Sequence, residues 1–152
     1  MLKRIKVAVD PILRSLTDDY LYAAYTLDES EYIGTIEDID TLCKIGYQKP
    51  PTVLGIQLEA AKLHPETEQV HEHSFRKVAD NERWQYHVHL WPTESGGYDV
   101  YSHKEYRPDF GRIGSETNSE RFERLDEHLN PTWGETYLLG ESGDELESLV
   151  SP

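Results

Sequence analysis

The sequence predicts an α+β fold: an antiparallel β-sheet, a meander of four or more strands, with two helices packed on it. Three observations predict it. Residues 69–78, 84–91 and 98–103 are β-like runs joined by short, turn-rich segments, which forces antiparallel neighbours. Residues 36–45 and 119–129 carry apolar side chains at helical spacing. A chain of 152 residues fits one ordinary domain, able to bury about two-thirds of its unfolded surface. That domain is expected over residues 1–140, with 141–152 as an acidic flexible tail.

Taken in order, residues 2–9 (LKRIKVAV) alternate apolar and basic and read as a short strand, and Pro11 suits the first position of a helical turn. Residues 20–27 are aromatic-rich and read as a second strand. Thr35 is placed to cap a helix in which Ile36, Ile39, Leu42 and Cys43 form one apolar stripe and Gly46 supplies the stop. Cys43 is thereby expected in the core. Residues 52–64 are open between strand and helix. Leu54, Ile56, Leu58 and Ala60 alternate, whereas QLEAAKL is rich in helix formers, and the turn signal His64-Pro65-Glu66-Thr67 favours the strand. Beyond the meander, Phe122, Leu125 and Leu129 mark a helix that Pro131 ends. Residues 133–139 read as a last strand or packed arm.

Composition bounds the environment. The net charge is −14, from 29 acidic against 15 basic residues, and apolar residues make up 37% of the chain. Such a charge resists aggregation and strains the compact state by self-repulsion, a strain that high salt relieves by screening. Acidic residues spread along the chain, few lysines and a modest core resemble the small acidic proteins of haloarchaeal-type, salt-adapted cytoplasm. Cys43 is the single cysteine, so no intramolecular disulfide forms. Asp10 and Pro11 interrupt the basic N-terminus before any apolar leader, and no apolar run reaches membrane-spanning length. The expected location is cytoplasmic, without membrane association. A nucleic-acid partner is not expected. A homo-oligomer or a protein partner would use the sheet.

The chemistry concentrates in the meander. Six of the seven histidines lie between positions 64 and 103, and four form two His-x-His pairs, His71/His73 and His87/His89. On a strand, residues i and i+2 face one side. With a three-residue loop at 79–81 the pairs oppose each other and four imidazoles converge. With a two-residue turn at 80–81 they fall on opposite faces. The sequence leaves both open. In the convergent case His71, His73, His87 and His89 would hold one divalent transition metal, Zn²⁺ or Mn²⁺. Otherwise they are structural side chains packed with aromatics and carboxylates.

The stretch Tyr86-His87-Val88-His89-Leu90 resembles the His-hydrophobe-His strand of HUH endonucleases. That resemblance implies a metal held by His87 and His89 with Glu72, His73 or His103 as third ligand, and a tyrosine nucleophile. The 119–129 helix contains no tyrosine, and Tyr106 and Tyr137 lie outside it. His87-x-His89 followed by Glu94 is also similar to the first cupin motif, without its glycines. Glycine-rich phosphate loops, HExxH, paired CxxC, nucleophile elbows and dinucleotide fingerprints are absent from the sequence. Residues 101–109 gather functional side chains where a strand ends, and Trp84, Trp91 and Trp133 read as packing residues.

The leading functional expectation is a non-enzymatic accessory or interaction protein of a salt-adapted cell or its mobile elements. The alternatives are an HUH-like metal-dependent phosphodiester-cleaving enzyme and a small histidine-based metal-binding module. Whether the protein is an enzyme stays open on sequence.

Overall fold

The structure, a computed structural model, describes residues 1–17, 23–50, 52–53, 56–57, 59–79, 82–129, 138–139 and 144–151. The chain opens with helix α1 (Leu2–Thr17), then strand β1 (Ala24–Thr26), a 3₁₀ turn (Glu29–Glu31) and strand β2 (Tyr32–Ile36). Helix α2 (Asp40–Lys44) is followed by the two-residue strands β3 (Thr52–Val53) and β4 (Ile56–Gln57), and by β5 (Ala61–Leu63). The meander is β6 (His73–Val78), β7 (Trp84–Pro92) and β8 (Tyr98–Tyr106). Helix α3 (Asn118–Leu129), strand β9 (Leu138–Leu139) and helix α4 (Asp144–Glu147) complete it.

The main sheet is antiparallel in the order β2-β8-β7-β6, and β9 joins the far end of β8. The expected α+β class and meander are therefore present. Strand β1 pairs in parallel with β5 in a separate two-stranded sheet. Over residues 52–64 the described backbone is strand, not helix.

Alternation along the meander separates two faces. One carries Phe75, Val88, Leu90 and Val100, and with Ile36, Leu42, Tyr47 and Leu146 these form the main apolar core. The other carries Gln85, His87, His89, His103 and Glu105, all buried. Leu27, Trp91 and Tyr101 make a smaller apolar cluster at its end.

Several local readings change. Residues 2–9 are helical, not a strand, and Pro11 lies inside the helix instead of opening it. The alternation there is outweighed by Leu2, Ile5, Val9, Ile12 and Leu16, spaced three and four apart. The helix expected from Thr35 starts at Asp40, because 32–36 pair with β8. Asp38 Oδ1 accepts the Asp40 N–H at 3.0 Å, and Gly46, at φ 97°, ends the helix as expected. That late start turns Cys43 out of the core, leaving it exposed. In the acidic C-terminal segment Glu145 and Glu147 are exposed, yet 144–151 is anchored to the sheet and core. Leu146 is buried in the core, and Ser151 pairs with Thr35 through two backbone hydrogen bonds. Gly34, at φ 138°, permits this pairing, since a Cβ there would sit 2.6 Å from the Ser151 carbonyl oxygen. Trp133 and Tyr137 lie outside the described residues.

Candidate metal centre

The β7–β8 ladder sets His87 opposite His103, His89 opposite Tyr101 and Gln85 opposite Glu105. Three imidazoles and a carboxylate thereby share one face. The β6–β7 ladder decides the other pair. Its terminal pairing is Val78 with Gln85, closed by an Ala79 N–H bond to the Trp84 carbonyl. This connection is longer than either loop considered from sequence, and it has the phase of the two-residue turn. Ser74 faces His89, Arg76 faces His87, and His73 pairs with Leu90. His73 therefore lies on the apolar side, its ring 5.6 Å from that of Tyr98, and does not join the cluster.

His71 reaches the cluster by another route. It precedes β6 and is tied to β5: its N–H donates to the Lys62 carbonyl, and the Lys62 N–H donates to its Nδ1 at 3.1 Å. This sets the ring 5.0 Å from that of His89. Of the four sequence candidates, His71, His87 and His89 converge, and His103 joins them from β8.

Glu59, just before β5, is the carboxylate at the centre. Its Oε2 lies 2.8 Å from His87 Nε2 and 3.9 Å from His89 Nε2, and its Oε1 lies 3.5 Å from His71 Nε2. Ser74 Oγ donates to Glu59 Oε2 at 2.9 Å. Behind His87, its Nδ1 contacts Glu105 Oε1 at 2.7 Å, and Gln85 Nε2 donates to the same oxygen at 2.8 Å. His103 Nδ1 meets Glu31 Oε1 at 2.6 Å and its Nε2 lies 3.2 Å from Glu105 Oε2.

The electrostatics follow from burial and pairing. Burial penalises the charge on His87, yet Glu105 and Glu59 outweigh it and hold the pKa above the usual imidazole value. Burial also opposes charge on His103, and Glu31 and Glu105 carry its pKa up to about 9. Burial would raise Glu59, but the histidines around it keep its carboxyl well below the usual range. His89 is different: burial first, then the positive charges of His87 and Lys62, push it well down, so it is neutral.

Protonation sorts the donors. A backbone N–H can only donate, so His71 Nδ1 is an acceptor and its neutral ring carries the proton on Nε2, facing Glu59. The same argument removes His64, whose Nδ1 accepts from the Glu66 and Thr67 N–H groups. His89 keeps an acceptor nitrogen, and neither ring nitrogen has a hydrogen-bond partner among the described residues. Glu59, His87 and His89 offer ligand atoms all within 4.8 Å of one another. Two imidazoles and a carboxylate suit Zn²⁺, Fe²⁺ or Mn²⁺. The carboxylate of Glu105 behind His87 Nδ1 is the partner that orients metal-binding imidazoles elsewhere.

Sequence reasoning found His87 and His89, named His103 as a possible ligand, and missed Glu59, Glu31 and Lys62. Glu105 lies in the 101–109 segment, where functional side chains gather at a strand end. Glu59 carried no local signal among 29 acidic residues. No helix among the described residues is long and apolar enough to cross a membrane. No family model, curated protein or solved structure matches the chain.

Proposed function

We propose that this protein is a small, non-enzymatic metal-binding module in which Glu59, His87 and His89 hold one divalent transition metal. The observation that carries the reading is His89: a fully buried, neutral imidazole with both nitrogens unpartnered among the described residues, beside an ionised carboxylate. An unpaired buried polar group costs about 1–3 kcal/mol, and a metal at Glu59 would remove that cost. A tetrahedral ion with bonds of about 2.0–2.1 Å needs ligand atoms ~3.3 Å apart. The present separations of 2.8 and 3.9 Å bracket that value. Metal at His87 Nε2 would displace the proton that now faces Glu59 and Ser74, while Glu105 would keep the ring oriented.

Three protein ligands leave the fourth position of a tetrahedral ion to water or a small molecule. The burial of His87 and His89 closes that position to large substrates and supports a structural or storage role. The HUH-like alternative has less support. Its His87/His89 pair does face one carboxylate, but Tyr106 is stacked on Trp84 at 4.0 Å between ring centres. The lone cysteine and the charge of −14 support an accessory protein of a salt-adapted cytoplasm.

The test is metal analysis and melting of untagged protein purified in high salt. We expect one ion per chain, and a higher melting temperature on adding Mn²⁺ or Zn²⁺. Glu59→Gln and His89→Gln should abolish both while leaving the circular dichroism unchanged. Affinity should rise with pH until His87 loses its proton, because proton and metal compete for Nε2. Protein that neither retains nor is stabilised by any transition metal would overturn the proposal. A nicking assay on single-stranded DNA, with Tyr106→Phe and Tyr137→Phe controls, separates module from nuclease.

A further inference from the structure

Helix α1 is amphipathic, and it is seated with its polar side inward. Lys3 Nζ donates to the carbonyls of His71 and Glu72 at 2.9 and 2.8 Å, and Lys6 Nζ donates to the Glu59 carbonyl. Asp10 Oδ1 accepts the N–H groups of Ala23 and Ala24, and Arg14 bridges Asp10 and the Ala24 carbonyl. These bonds fix the rotation of the helix about its axis. The opposite face is then Leu2, Ile5, Val9, Ile12 and Leu16, exposed by 39% at Leu2 and up to 78% at Leu16.

Their spacing is three, four, three, four, which is the a/d seam of a two-helix coiled coil. A seam of this kind is narrower than the stripe a helix buries against a globular core. A shallow, open hollow beside this stripe is lined by Met1, Arg4, Ile5 and Ala8. Residues i, i+3, i+4 and i+7 are the four that make the hole for a knob from a facing helix.

We propose that two copies of this chain pair through α1 as an antiparallel helix dimer, Leu16 of each copy entering the Met1–Arg4–Ile5–Ala8 hollow of the other. That placement sets Ile12 into the next hole, formed by Ile5, Ala8, Val9 and Ile12, so one two-fold axis satisfies both contacts. Antiparallel order also lays Arg4 against the negative end of the facing helix dipole.

Charge selects a second copy as occupant. The body of a chain at −14 repels its own kind, but four basic residues and a single acidic one fall in the first 17. Lys3, Lys6 and Arg14 are turned inward, leaving Arg4 as the charged residue at the seam. The surface through which two copies meet is therefore nearly neutral. The exposed stripe is on the order of 500 Å² of apolar surface, at the upper end for a monomer patch. A stable dimer buries about 800 Å² per copy, so the stripe supplies most of that and its flanks the rest. The sheet offers no comparable surface, since both faces of β7 are buried.

The test is sedimentation of the full chain from about 1 to 100 µM. We expect a dimer, and Ile12→Glu or Ile5→Glu should raise its dissociation constant at least about 30-fold, with helicity unchanged. These positions are solvent-exposed in the single chain, so each variant folds. A wild-type chain that stays monomeric throughout would overturn the proposal, as would dimers indifferent to both substitutions. A monomer that co-sediments with phosphatidylcholine vesicles would overturn it in favour of a lipid surface.

Discussion

The imidazole of His103 and the carboxylate of Glu31 meet at 2.6 Å with both side chains fully buried, tying the centre of β8 to the 3₁₀ turn before β2. Glu31 Oε2 at the same time accepts the Asp28 N–H at 2.9 Å, closing a capping box. Glu31 thus holds the turn and, together with Glu105, the charge on His103. A folded-state pKa raised from 6.5 to about 9 stabilises the fold fully below pH 6.5 and ceases to do so as pH rises through 9. The wild type should lose on the order of 3 kcal/mol across that window. Glu31→Gln should cost roughly 3–5 kcal/mol at neutral pH and flatten the alkaline limb. Urea melts from pH 6 to 10 check both.

Among the described residues Arg124 is the largest fully buried side chain, and its guanidinium is saturated. It donates to both oxygens of Glu116, at 2.8 and 3.0 Å, and to the carbonyls of Arg107, Asp109 and Gly111. This fastens the loop after β8 to α3. Arg124→Lys keeps the charge but lacks the planar fork, and should destabilise by about 3–5 kcal/mol. The bonds from Arg124 hold the Glu116 carboxyl at about 2. Its contribution is present above pH 4.5 and is lost as pH falls through 2. An acid melt should show a transition in that range that Glu116→Gln removes.

Leu146 anchors the acidic C-terminal segment to the main core, while Glu145 and Glu147 stay exposed. Leu146→Ala should cost about 2–5 kcal/mol, the range for emptying a packed site. Denaturant unfolding measures it. A cost under ~0.5 kcal/mol, as for a surface position, would show that segment to be detached.

Salt response tests the reading of composition. Self-repulsion at −14 falls as the screening length drops to about 3 Å at 1 M. The melting temperature should therefore climb with KCl past about 1 M. A flat or falling curve would contradict the salt-adapted reading.

Local patterns made part of this protein readable. The β7 and β8 runs and helix α3 were legible because alternation and helical spacing are short-range properties fixed by backbone geometry. Cys43 and the start of α2 were misread because strand pairing of 32–36 with β8 overrides a cap signal. In helix α1 the reason is the opposite: its apolar stripe faces solvent, and residues 2–9 alone are too short a window to display the helical period.

The sequence by itself determined the sheet, its histidines, the charge and the pairing of His87 with His89 on one face. The tertiary structure decided which groups meet them. A loop length put His73 out of phase, a backbone bond to Lys62 returned His71, and Glu59 arrived from a segment distant along the chain. Each depends on where separate segments dock, which burial of the whole chain sets and no window of sequence contains.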